Sequence, residues 1–171
     1  LLGLKQREES PADLAAVAYT KALYGDHPYA HPPDGAIETV TQLTKTDLVN
    51  FYKRYYVASN AVVAIVGDVS SADAEAMVNR LLDGLPQGTP AEALPPVVEP
   101  VAAATVKQFF PSAQTHVLVG EPVLTFNDPD YFSLYAGNHI LGGGGFVSRI
   151  TEEVREKRGL SYSANSYFSP Q

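Results

Sequence analysis

Five prolines, Pro86, Pro90, Pro95, Pro96 and Pro100, fall within fifteen residues, and no other stretch of this 171-residue chain restricts its fold so strongly. Proline has no amide hydrogen and a fixed φ, so neither a helix interior nor a central strand runs through such a segment. The stretch reads as an extended linker. Residues 1–90 are then the end of one domain, 91–101 the linker, and 102–171 the start of a second domain. The chain opens at Leu1 inside what reads as continuing structure and stops at Gln171 just after an expected strand, so it reads as a fragment of a longer polypeptide.

On the first side, Ser10 and Pro11 suit the cap and first turn of a helix from Pro11 to about Leu23, ended near Gly25. Asp26-His-Pro-Tyr-Ala-His-Pro-Pro33 forces a loop. A second helix follows Thr44, from Lys45 to Tyr56, and its apolar stripe of Leu48, Phe51, Tyr52 and Tyr55 is expected to pack on a sheet. Ala61–Val66 has the length and composition of a strand, and Ser70 caps a third helix running to Gly84. On the second side, 103–110 and 114–119 read as paired strands, and 127–141 as a helix. Gly142–Gly145 break the chain, 146–157 reads as a helix with Val147, Ile150 and Val154 on one face, and 161–168 as a strand. The expected fold class is α+β, with mostly antiparallel sheets packed against helices.

Composition removes several functions. With 45% hydrophobic and 18% charged residues the chain has the makings of a folded core. A net charge of −7 leaves no broad cationic field for nucleic acid or anionic lipid. With no cysteine, thiolate metal sites, thiol nucleophiles and disulfides are excluded. No apolar run is long enough to span a membrane.

Few residues carry metal or catalytic chemistry. The four histidines are His27, His31, His116 and His139. His27 and His31 are four apart, but Pro28 lies between them and no acid accompanies them, so the pair reads as structural. Glu8 and Glu9 read as solvated charges flanking a helix N-terminus. The glycine run resembles a phosphate loop but lacks the Lys-Ser/Thr that such a loop needs. It reads instead as a tight connection that leaves backbone exposed. Arg155 and Tyr162 stand seven residues apart across the expected end of a helix, where a guanidinium and a phenol can converge on one peptide carbonyl. Tyr52, Tyr55, Tyr56, Tyr131 and Tyr135 read as packing residues.

Leu141-Gly-Gly-Gly-Gly-Phe-Val-Ser-Arg-Ile150, followed by Glu153-Val-Arg-Glu-Lys-Arg-Gly-Leu-Ser-Tyr162, resembles the pitrilysin/insulinase family of zinc metallopeptidases, the inverzincins. Leu23–Tyr29, Gly35, Asp47-Leu48, Phe51–Tyr56, Asn60 and Val63–Val69 resemble it in the same order. The family's His-x-x-Glu-His element is absent from these residues. The resemblance therefore implies the non-catalytic half of such an enzyme, with no catalytic residue and no metal ligand in this chain, although Glu8 matches the segment where active relatives place a third ligand. It implies that Arg155 and Tyr162 bind the substrate backbone and steady the tetrahedral intermediate, with Gly143 and Gly144 beside the substrate. Zinc is expected in a partner: a zinc-bearing peptidase subunit, as in a heterodimer, or a second copy of the parent. The expected substrate is unfolded peptide, and the expected compartment the bacterial periplasm. Two alternatives stay open: a catalytically silent assembly protein of the same family, and a complete homodimeric peptidase whose zinc motif lies upstream.

Overall fold

The computed structural model describes residues 1–99 and 102–169, so Pro100 and Val101 of the expected linker lie outside the described residues. The chain forms two units, Leu1–Gly120 and Glu121–Gln171.

The first unit carries α1 (Leu2–Glu8), α2 (Pro11–Tyr24), α3 (Ile37–Val40), α4 (Lys45–Tyr55) and α5 (Ser71–Leu81), with short 3₁₀ turns at Pro28–Ala30 and Ala58–Asn60. Its helix starts follow from side-chain capping, because the first amides of a helix have no partner within it. The Ser10 hydroxyl accepts from Asp13 N at 3.3 Å, Thr44 from Asp47 N at 3.3 Å, and Ser70 from Asp73 N at 3.2 Å. At α4 the cap is reciprocal, since Thr44 N donates to Asp47 Oδ2 at 2.8 Å. The Thr44 hydroxyl, donating to Asp47 Oδ2 at 2.6 Å, and then the Thr44 amide hold the Asp47 carboxyl below its usual value of 3.8. Gly25 closes α2 at φ 60°, a left-handed conformation natural to glycine.

The proline-rich segment is docked rather than free along its first half. Ala58 N donates to Pro86 O at 2.8 Å, Ser59 N to Gln87 O at 3.0 Å, and Ala91 N to Asn60 Oδ1 at 2.7 Å. Val57, 4% exposed, sits so close to Gly88 that a Cβ there would come within 2.8 Å of Val57 Cγ2. Only glycine fits against it.

The second unit holds α6 (Tyr131–Asn138), a π-helical stretch His139–Gly143, a 3₁₀ turn Gly145–Val147 and a second π-helical stretch Thr151–Glu156. Tyr131, 8% exposed, is its buried aromatic, with Phe126 and Phe132 rings at 4.9 and 5.3 Å. The expected continuous helix over 146–157 is interrupted at Ser148, whose ψ of 151° is extended, and Val147 is left exposed.

The expected α+β class with antiparallel sheets is not what the chain forms: among the described residues there is no strand, and the regular elements are helical. A strand exists only through a ladder of backbone hydrogen bonds with a neighbour. Residues 61–66, 103–110, 114–119 and 161–168 make no such ladder among the described residues. Their apolar side chains are correspondingly open, as Val66 (99% exposed) and Val119 (91%) illustrate. A short apolar run signals a wish for burial, not a pairing partner. For the same reason α4 has no sheet beneath it. Leu48, Phe51 and Tyr52 of its stripe are exposed, and its rings pack on one another instead, Phe51 on Tyr55 at 4.8 Å and Tyr52 on Tyr56 at 4.9 Å.

The buried apolar residues among those described are Leu4, Ala30, Val57 and Tyr131. Many large apolar side chains of the described residues lie open, Val62 at 96% and Phe109 at 91% among them. Exposed apolar surface on this scale is unusual for a soluble monomer.

Candidate functional site

In the second unit, α6 leads into the glycine run without a break, because the helix widens to π register over His139–Gly143. The run is held by close approach. Gly142 is buried against the backbone nitrogen of Ser166, which a Cβ would meet at 2.5 Å. A Cβ on Gly143 would come within 3.0 Å of Asn138 Nδ2, and one on Gly144 within 2.7 Å of His139 O. Asn138 and Ser166 then bind reciprocally: Asn138 Nδ2 donates to Ser166 O at 3.2 Å, and Ser166 Oγ donates to Asn138 Oδ1 at 2.6 Å. Between these segments lies a cavity of about 410 Å³, lined by Gly142, Gly143, Gly145, Asn138, His139 and Tyr167 among others. Gly143 thus lines a cavity, and Gly144 lies outside that lining.

After the glycines, Gly145 at φ 63° turns the chain and Ser148 N donates back to Gly145 O at 3.1 Å. The second π-helical stretch carries Arg155. Its widened register shows in Lys157 N donating to Glu152 O at 2.9 Å, five residues back. Beyond the stretch the chain turns at Gly159 (φ 60°), with Gly159 N donating to Arg155 O at 2.9 Å and Leu160 N to Val154 O at 3.0 Å. From there residues 161–168 run back along the helical segments, tied by side chains. Thr151 Oγ1 donates to Ala164 O at 3.1 Å and accepts from Ser148 Oγ at 3.0 Å.

This return brings Tyr162 to Arg155. The guanidinium carbon stands 5.4 Å from the Tyr162 ring centroid and 4.7 Å from that of Phe146, both within cation–π range. Arg155 also pairs with Glu156 Oε1 at 3.3 Å. The neighbouring cations are engaged elsewhere. Lys157 pairs with Glu152 at 3.0 Å and Glu153 at 2.6 Å, and Arg158 with Glu153 at 2.8 Å. Hydrogen bonds from Lys157 first, then Arg158, hold the Glu153 carboxyl below its usual 4.5, and the same contact with Glu153 raises the Lys157 ammonium above its usual 10.5. Tyr162 is 89% exposed, its phenol open to a ligand.

The histidines are scattered. His27 Nδ1 accepts from Tyr29 N at 3.1 Å, which leaves Nε2–H to donate to Pro95 O at 2.8 Å, so one ring nitrogen shapes the loop and the other holds it to the proline-rich segment. His31 lies exposed at the far end of the 3₁₀ turn begun at Pro28. His116 lines a separate cavity of about 390 Å³ beside α2, with Leu14, Ala15 and Ala18, and His139 lines the glycine cavity. Glu8 ends α1, a helix the sequence reading missed, and it is exposed, as is Glu9. Among the described residues no three His, Cys, Asp or Glu side chains stand together as a metal would need, so the residues present do not fit zinc. Among the described residues, too, no helix is long and apolar enough to cross a membrane.

Sequence reasoning missed Phe146, Asn138, Ser148, Thr151 and Ser166. None belongs to a titratable or ligand motif: Asn138, Ser148, Thr151 and Ser166 matter through the return of 161–168, and Phe146 through its contact with Arg155.

Comparison with known proteins gives a consistent result. The family model described as the peptidase M16 inactive domain matches residues 42–171. An uncharacterized zinc protease of Mycobacterium leprae is 32% identical over 170 residues, covering 95% of this chain and 37% of that protein. One from Bacillus subtilis, YmxG, is 26% identical over 166 residues, covering 97% of this chain and 40% of the relative. The crystal structure of a peptidase M16 inactive domain from Pseudomonas fluorescens superposes with a TM-score of 0.83 at 36% identity, covering 99% of this chain and 41% of that one. The chain thus spans about two fifths of the length of these relatives.

Proposed function

Since the chain belongs to the peptidase M16 inactive domain family, we propose that it is part of the substrate-holding half of a zinc peptidase, with Arg155 and Tyr162 gripping the backbone of an unfolded peptide. The observation that carries this reading is the meeting of Arg155 with Tyr162, from opposite sides of a helix end, while the phenol stays exposed. A guanidinium donates in its own plane and a phenol donates once, so the two together suit a carbonyl oxygen on which charge develops. Gly142 and Gly143 give the cavity in the same unit a stretch of wall without side chains, where an extended peptide can approach the backbone closely. Metal binding and water activation fall to another half, since these residues offer no ligand set. The uncovered apolar stripe of α4 agrees with a chain that works inside a larger assembly.

The test is peptide cleavage by the complete assembly carrying Arg155→Ala or Tyr162→Phe. Loss of a donor to a developing oxyanion slows turnover by about 10²-fold, and Tyr162→Phe does so without unfolding, because Tyr162 is almost wholly exposed. Unchanged turnover in both variants would sink the reading. The name zinc protease borne by the relatives favours a second arrangement, in which the parent carries its own zinc motif upstream and acts as a homodimer. Native mass spectrometry of the full-length parent separates the two, by showing zinc in a homodimer or in a different partner chain.

A further inference from the structure

We propose that Phe146 is a positioning residue that fixes the guanidinium of Arg155 for the peptide, an inference that rests on the role given to Arg155 above. The ring of Phe146 is nearer to the guanidinium carbon than that of Tyr162, 4.7 against 5.4 Å. A guanidinium stacked by its faces keeps its N–H groups pointing outward in the plane, which is how arginine combines an aromatic contact with directed hydrogen bonding. Of its five N–H groups, the protein contact among the described residues is the one with Glu156 Oε1 at 3.3 Å, so donors remain for a ligand. The Arg155 side chain is only 28% exposed although Phe146 is 75% and Tyr162 89% exposed. The two rings thus cover the cation while lying open themselves.

The local backbone geometry builds this contact. On one uninterrupted helix, residues nine apart lie about 180° from each other, so Phe146 and Arg155 would face opposite ways. Gly145 at φ 63°, the 3₁₀ turn Gly145–Val147 and the extended Ser148 fold the ring back onto the cation instead. The end of the glycine run therefore does more than join two helical segments, because it also aims Phe146.

The experiment compares Phe146→Leu, Phe146→Tyr, Arg155→Ala and Phe146→Leu/Arg155→Ala in the complete assembly, reading kcat and KM for one unstructured peptide. Removing an exposed cation–π contact lowers kcat/KM about 2–5-fold in Phe146→Leu. Phe146→Tyr restores it, and the loss disappears when Arg155 is already alanine. A Phe146→Leu assembly as active as wild type, beside a slow Arg155→Ala one, overturns the inference and leaves the role of Arg155 intact. An equal loss in the Arg155→Ala background overturns it too, because Phe146 would then act independently. A fully active Arg155→Ala assembly removes the role of Arg155, and this inference with it.

Discussion

Thr151→Val is the substitution whose effect the structure specifies most fully. Valine matches threonine in shape, so no cavity opens and the change isolates the hydroxyl. That hydroxyl, on a residue 6% exposed, donates to Ala164 O at 3.1 Å and accepts from Ser148 Oγ at 3.0 Å. Ser148 is 1% exposed, so its hydroxyl is left in a dry site with no acceptor, an orphaned group that costs about 1–3 kcal/mol. Ala164 O is only half-buried and recovers part of its loss from water. Ser148→Ala keeps the Thr151 bond to Ala164 but takes away the acceptor of Thr151 N, 3.5 Å from Ser148 Oγ, so it too costs about 1–3 kcal/mol. In the double variant the orphaned hydroxyl is gone and the Thr151 amide alone lacks its acceptor, so the total falls short of the sum by about 1 kcal/mol, beyond the scatter of independent sites. Urea unfolding of the four proteins, compared at equal slope, measures this. Strict additivity, or a Thr151→Val protein as stable as wild type, refutes the reasoning that this buried pair ties residues 161–168 to the helical segments.

Two further outcomes follow from the same structure. Asp47 and Glu153 both titrate below their usual values of 3.8 and 4.5, so each adds stability that is fully present above that value and lost as pH falls through the lower folded value. Lys157, raised above 10.5, adds stability present below that pH and lost as pH climbs past it. Melting temperatures followed from pH 6 to pH 2 should therefore fall less in Glu153→Gln than in wild type, and an identical acid limb would contradict this. Gly142→Ala should lose about 1–3 kcal/mol, because its Cβ would meet backbone at Ser166, whereas Gly159→Ala bears only the left-handed backbone cost, with open space around it. Equal midpoints for Gly142→Ala and wild type in urea would refute the close approach.

What was legible in the sequence was local. Ser10, Thr44 and Ser70 each cap the helix expected of them, because capping involves residues three apart and a single hydroxyl. The stop at Gly25 is legible for the same reason. The resemblance carried by the glycine run and the segment Glu153–Tyr162 is to the family that matches. The helix α1 was missed, since Leu2–Glu8 has no side-chain cap to announce it. The sheets were expected from apolar runs such as Ala61–Val66, but a run reports only what its own side chains prefer, and pairing depends on residues far along the chain. The place of Phe146 beside Arg155 was hidden because helical periodicity sets the two apart, and the break at Ser148 that unites them leaves no compositional trace.

The two π-helical stretches bear on how this surface can change. Each closes its turns over one residue more than an α-helix needs, as Lys157 N to Glu152 O shows. That surplus residue is slack stored inside a helix. When it passes one position along, the neighbouring side chains rotate by about 100°, while the ends of the helix stay where they are. Arg155 lies within such a stretch and Gly143 closes the other. Arg155 and Gly143 are thus mounted on elements whose side chains a single inserted or deleted residue re-aims without rebuilding the fold around them.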